Sequence, residues 1–202
     1  QNRRQSAGNA TSSSLAFDSN NTIGNLIVVA IRGGTANEVF TVSDTRGNTY
    51  LQAVQINETG NDNTLSVRYA QNVAGGANTV TVQQSSSATL HFAILEYSGV
   101  AISNALDVAV IAQGSGTSTA PTSGNATTTA DNDLLIGAVI AGNGTTVTAG
   151  GGFTLQEAAA AAPATQLIVE DRIQATAGAA SATATFSPAS HFAAALVAFK
   201  AT

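Results

Sequence analysis

The sequence predicts an all-β protein, a sandwich built from two sequence-similar halves, and three observations carry that expectation. The first is that the motif order is written twice. Asn25-Leu26-Ile27-Val28-Val29, Tyr50-Leu51-Gln52, Leu65-Ser66-Val67-Arg68, Ala74-Gly75-Gly76-Ala77, Thr79-Val80-Thr81-Val82 and His91-Phe92-Ala93 follow one another in the first half. Asp133-Leu134-Leu135-Ile136-Gly137, Thr154-Leu155-Gln156, Leu167-Ile168-Val169, Ala177-Gly178-Ala179-Ala180, Thr183-Ala184-Thr185-Phe186 and His191-Phe192-Ala193 repeat that order. The offset, about 100 residues, is far longer than a solenoid unit, so it points to two multi-stranded halves. The second observation is that Thr, Val and Ile runs are broken by Gly and Asn turns along the whole chain. The third is that helix propensity concentrates in one place only, Ala158 to Ala162.

Taken in order, residues 1–16 hold no compact apolar run and read as a polar strand, in the protein's own sheet or donated to a neighbour's. Asp44-Thr45-Arg46-Gly47-Asn48 reads as a hairpin turn, with Gly47 free to take positive φ. Asn72 to Gly76 and Thr176 to Gly178 are matching turns. The Gly-, Ser- and Thr-rich stretch Gln113 to Thr129 matches Gln5 to Phe17, which argues against a flexible linker. The alanine run before Pro163 is too short to nucleate a helix alone and falls where the first half has a strand, so it is read as strand or extended loop. The apolar join from Val100 to Leu106 favours a single domain over 1–202, with halves 1–100 and 101–202, over two immunoglobulin-like domains in tandem.

Four strands are apolar on both alternating faces: Leu26 to Ile31, Phe92 to Leu95, Leu134 to Ile140 and Phe192 to Phe199. A two-sheet sandwich solvates its outer faces, so these require partly exposed small residues, a third layer or other subunits. The predicted core is Leu26, Val28, Leu65, Val67, Phe92, Ile94, Leu134, Ile136, Phe192 and Leu196.

Charged residues make up 9 % of the chain, against about 25 % in ordinary soluble domains. The surface must then be Thr, Ser, Asn and Gln, and it repels its own copies weakly. Lysine, the usual guard of exposed strand edges, occurs once, at Lys200. A pI near 4.7 and the lack of a basic cluster argue against nucleic acid. With no cysteine, disulfides and thiolate chemistry are excluded. The longest apolar run is too short to span a bilayer, and the start at Gln1 suggests a removed leader, hence a secreted, extracellular or cell-surface protein.

Candidate chemistry is sparse. His91 and His191, equivalents in the repeat, have no neighbouring ligand set and read as hydrogen-bonded strand-end residues. Asp131, Asp133 and Asp62 are weak Ca²⁺ candidates in oxygen-rich clusters that read first as turns. Glu170-Asp171 reads as a solvated edge pair. Tyr50, Tyr69 and Tyr97 are the candidate sugar platforms, although tyrosines at such corners more often pack and donate one hydrogen bond. Asn9, Asn20, Asn57, Asn125 and Asn143 match the glycosylation pattern at a frequency that chance explains in so Asn- and Thr-rich a chain.

Gly47-Asn48-Thr49-Tyr50, Tyr69 to Gly76 and Ile94 to Val100 give the chain its likeness to known proteins. It resembles the concanavalin-like or jelly-roll β-sandwich modules of bacterial secreted and cell-surface proteins. That resemblance implies a jelly-roll fold and an extracellular, non-catalytic role, and it carries over no binding residues. The function expected is a self-assembling subunit of a fibre, tube, sheath or surface layer, with itself as partner and no cofactor beyond Ca²⁺. The alternative is a module that binds glycan or another surface ligand. An enzyme is not expected.

Overall fold

The computed structural model describes residues 1–160 and 165–202, and every long element in it is a strand. The first half runs β1 (Asn2–Ala16), β2 (Leu26–Gly33), β3 (Phe40–Asp44), β4 (Leu51–Glu58), β5 (Asn63–Ala70) and β6 (Thr79–Tyr97). The second runs β7 (Leu106–Gln113), β8 (Ala126–Thr127), β9 (Asp133–Ala141), β10 (Thr146–Ala149), β11 (Thr154–Ala159), β12 (Leu167–Gln174), β13 (Ala179–Ala180), β14 (Ala184–Ser187) and β15 (Phe192–Phe199).

Hydrogen bonding gathers these into two large antiparallel sheets. One has the order β1-β6-β2-β5-β4, with β3 joining β6, and the other the order β11-β12-β9-β15-β7. Read from the opposite edge, the second sheet places its strands in the chain order of the first. Both β4 and β11 carry a register irregularity near their start, at Gln52/Val54 and Leu155/Glu157. The sheets face each other with their edges meeting crosswise. Asn2 Nδ2 donates to the Gln156 carbonyl at 2.7 Å, linking β1 to β11. The Thr59 amide donates to Gln113 Oε1 at 2.9 Å, linking the end of β4 to β7.

Strand periodicity fills the space between the sheets. Leu26, Val28, Ala30, Leu65, Val67, Ala93 and Leu95 point inward from one sheet and meet Leu134, Ile136, Ala138, Ile140, Leu167, Val169, Ala195, Val197 and Phe199 from the other. The outer faces are covered by the chain itself. β6 is long enough to leave the main sheet: its second part pairs with β2, while Thr79 to Gln84 fold outward with β3 and the end of β1. That outer layer buries Ile27, Val29, Ile31, Phe92 and Ile94 beneath Leu15, Phe40, Val80 and Val82. On the other side the β10–β14 ribbon covers Val139, Ile168, Phe192 and Ala194, and Ala126, Ala180 and Ala182 cover Leu135, Leu196 and Ala198. A third layer therefore accounts for the doubly apolar strands without a second subunit.

All ten predicted core residues are buried, but in different bodies of core. Phe92 and Phe192 lie in separate outer clusters, whereas the inner cluster draws on both halves. β1 pairs along β6 in the protein's own sheet, from Asn2 against Leu95 to Ala16 against Thr79. The 113–129 stretch is tied down by the bridges Ser118–Ser190 and Thr122–Thr183 and by β8 against β13. Ala158 and Ala159 end β11 as strand, while 161–164, the rest of the alanine run and Pro163, lie outside the described residues.

Candidate functional site

The inner face of the first sheet ends in a polar row. Continuing the inward positions, β2 reaches Arg32 after Ala30, β6 reaches His91 before Ala93, β5 begins at Asn63 and β4 ends at Glu58. Arg32 lies opposite His91, and Asn63 opposite Glu58 one inward step beyond Leu65, the β5 partner of Arg32, so the four side chains cross the sheet diagonally, all buried. Arg32 Nη2 donates to Asn63 Oδ1, and Asn63 Nδ2 donates to Glu58 Oε2 at 3.3 Å. Glu58 also accepts the Gly60 amide at 2.6 Å and the Asn61 amide at 3.1 Å, which shapes the β4–β5 turn. His91 Nε2 lies 2.8 Å from Gln166 Oε1, joining the two halves. Because that amide oxygen only accepts, Nε2 carries the proton.

Burial dominates the electrostatics of this row. It lowers Arg32 to about 10 against the opposing pull of the Glu58 charge. Burial, and then the Arg32 charge, lower His91 to about 4 despite the Gln166 hydrogen bond. His91 is therefore neutral at pH 7. Arg32 Nε and Nη1 and His91 Nδ1 are buried without a hydrogen-bond partner among the described residues.

Beside the row a cleft of about 350 Å³ opens between the halves, lined by Thr59, Gly60, Gln113, Gly114, Ser115 and His191. Gly60 is required there, since a Cβ at that position would lie 2.2 Å from the His191 ring. Hydroxyl, amide and imidazole groups give the cleft the chemistry to hydrogen-bond a small polar ligand. The two histidines are not equivalent in the ladder, contrary to the sequence expectation. His91 faces Arg32 of β2, but the matching position on the other sheet pairs Ile140 with Ala193, leaving His191 two residues further out.

Elsewhere, carboxylates rivet loops. Asp44 accepts from the Arg46 and Asn48 amides, Asn48 Nδ2, Asn78 Nδ2 and Tyr50 Oη. Glu96 accepts from Gln1, Asn21, Asn25 and the Thr22 amide, and Glu38 from Thr35, Ser85 and the Ser86 amide. Burial works to raise all three, and these donors outweigh it, holding each below the ordinary carboxylate value. Tyr50 and Tyr97 donate to Asp44 and Asp171 at 2.9 and 2.8 Å. Burial, then the adjacent carboxylate, raises both phenols. Tyr69 packs edge-on against Phe199, with ring centroids 5.2 Å apart. Tyr50 and Tyr97 thus each donate one hydrogen bond, and Tyr69 packs.

Glu170 corrects the sequence reading. β12 lies between β11 and β9, so Glu170 is interior to the sheet and is 0 % exposed. Its Oε2 accepts the Gly150 amide at 2.8 Å, and Oε1 has no partner among the described residues. A Cβ on Gly137, the opposite residue of β9, would lie 2.6 Å from Glu170 Cγ, so the glycine makes the room the carboxyl occupies. Burial lifts Glu170 to about 7, opposed by the Gly150 hydrogen bond and Arg172.

The calcium candidates fall at opposite ends of the sandwich. Asp62, in the β4–β5 turn, accepts the Ala36 amide at 3.2 Å. Asp131 accepts the Ala177 amide at 2.7 Å, and Asp133 opens β9 fully buried. Among the described residues no group of three or more His, Asp or Glu is placed to hold a metal. Instead Asp133 meets a residue the sequence reading did not single out, Asp107 of β7. Arg32 and Glu58 were also missed, although Arg32 could have been found as the charge that ends an apolar strand on its inward parity. No family model, curated protein or solved structure matches this chain.

Proposed function

We propose that the protein is a non-catalytic structural subunit that self-assembles into an extracellular fibre, tube, sheath or layer, as one jelly-roll-type unit over 1–202 that arose by internal duplication. One observation carries this reading: the outermost strands β3 and β10 occupy corresponding places in the two halves, and each has a ladder partner on one side only among the described residues. Their sequences, Phe40-Thr41-Val42-Ser43-Asp44 and Thr146-Val147-Thr148-Ala149, contain no lysine, arginine or proline. Such edges are templates for pairing with another chain. The doubly apolar strands no longer add support, because the chain covers them itself. The riveted loops suit a rigid building block.

Electron microscopy and sedimentation of the purified protein test the proposal. Ordered polymers are expected, and Thr41→Lys with Thr148→Lys should abolish them while leaving the monomer folded. A monomer at high concentration under every salt and calcium condition tried would sink it. The second reading, a module for glycan or another surface ligand, is favoured by the cleft at His191 alone. Saturable glycan binding lost on His191→Ala, without polymers, would establish that reading instead.

A further inference from the structure

Three adjacent strands bring the chain's single lysine to two buried carboxyls. β15 ends at Phe199, which pairs with Leu134 of β9 on one side and Leu106 of β7 on the other. One step on, the Lys200 amide is fixed by donation to the Ala105 carbonyl at 2.8 Å. The same step reaches Asp133 at the start of β9, and Asp107 sits at the irregularity in the β15–β7 register. Lys200 Nζ lies 3.8 Å from Asp107 Oδ1. The Asp107 side chain is 1 % exposed, Asp133 is 0 % exposed, and the apolar cluster of Leu135, Leu196, Ala198, Val108 and Val110 adjoins them.

An ion pair between Lys200 and Asp107 explains only two of these groups. Neither oxygen of Asp133 has a donor from the rest of the described protein. Its carboxyl is close enough to that of Asp107 for the two to share a proton whenever Asp133 holds one, and their mutual repulsion favours that protonated form. We propose that Lys200 and Asp107 are the two ends of an intramolecular amide cross-link, formed without any other enzyme, with Asp133 as the group that carries the protons.

Burial, then the neighbouring Asp107 carboxyl, lift Asp133 to about 6. Burial also works to raise Asp107, but the Thr129 hydroxyl and amide, with Asp133 and Lys200, outweigh it and hold it low. The starting state is thus a Lys200 ammonium, an Asp107 carboxylate and a proton resting on Asp133 for part of the time. Asp133 passes its proton to Asp107 and takes one from Lys200, leaving a neutral amine beside a neutral carboxyl. The Nζ lone pair attacks Asp107 Cγ, and negative charge develops on a carboxyl oxygen. The Thr129 amide, 2.6 Å from Oδ2, is placed to stabilise that charge. Asp133, protonated again by that exchange, gives its proton to the departing hydroxyl and takes one from nitrogen in its place. The C–O bond breaks, the C–N bond remains, and one water leaves. The ammonium and carboxylate charges cancel, and no oxidant or cofactor enters the balance. Holding amine and acid in contact beside an apolar wall supplies the effective concentration that free amines and acids lack.

Intact-mass spectrometry of the folded protein tests the bond. The chain should weigh one water less than its sequence, and digestion should yield a branched peptide joining the segments around Asp107 and Lys200. Cyclisation of Gln1 loses ammonia instead of water and is told apart by mass. Lys200→Arg keeps the charge and should restore the full mass, and Asp133→Asn should leave most of the chain uncrosslinked. Circular dichroism confirms that each variant is folded. A full sequence mass in the folded wild type after prolonged incubation near neutral pH would overturn the cross-link. So would a missing water that persists in Lys200→Arg, which would mark dehydration elsewhere. Unchanged cross-linking in Asp133→Asn would overturn the role given to Asp133.

Discussion

Glu170 stores a pH dependence in one side chain. Its folded pKa of about 7 lies above the ordinary 4.5, so between those values the folded state keeps a proton the unfolded chain has released. Stability from this group is complete below about 4.5 and is lost as pH rises through about 7. Glu170→Gln should therefore narrow the difference in melting temperature between pH 5 and pH 8 and stabilise the protein at pH 8. An equal difference in wild type and variant would show that Glu170 is not the group responsible. His91 acts in the opposite sense, since its lowered pKa makes acid unfavourable to the fold below about 6.5. Neither property was legible in the sequence. Glu170 sits beside Asp171 in a polar triplet that reads as solvent-facing, and only the glycine on the neighbouring strand reveals the space made for it.

At the scale of elements, β1 does two jobs, closing the edge of the first sheet and, through its second part, building the outer layer. Deleting residues 1–10 removes the pairing with Phe92 to Leu95 and exposes an interior strand edge. The monomer itself should lose stability, seen as a lower melting temperature and increased amide exchange in β6. Unchanged melting would mean that β1 is dispensable to the fold. The main strands were legible, because apolar runs, continuous in β2, the second part of β6, β9 and β15, locate them directly, as the shorter runs Leu65 to Val67 and Leu167 to Val169 locate β5 and β12. Their covering was not. β3 and β10 are short polar alternations, Thr41-Val42-Ser43 and Thr146-Val147-Thr148, that the sequence reading did not single out, so the third layer could only be inferred from what it hides. The histidine match failed for a related reason. Two like residues in a like phrase, His91-Phe92 and His191-Phe192, outweigh a two-residue slip that only the ladders with β2 and β9 expose.

For the whole molecule, the decisive feature is that the inner cluster takes residues from both halves. Splitting the chain would expose Leu26, Val28, Leu65, Leu134, Ile136 and Val197 together, a continuous apolar face that water opposes. Thermal unfolding followed by calorimetry should therefore show a single cooperative transition for the whole chain, and the 1–100 fragment alone should aggregate or stay unfolded. Two resolved transitions, with a soluble folded fragment, would contradict this.

The two chain ends meet at one corner: the Glu96 amide donates to the Gln1 carbonyl at 2.8 Å, and the Thr202 amide to the Gly99 carbonyl at 3.1 Å. Tension applied between those ends would not shear the sheets along their length. It would load the outermost pair of β1 and β6, Asn2 with Leu95, and then each pair after it in turn, as a zipper opens. Strung end to end, such a body is a weak link. Stacked through its flanks, where pulling loads many strand bonds in parallel, it is a strong one.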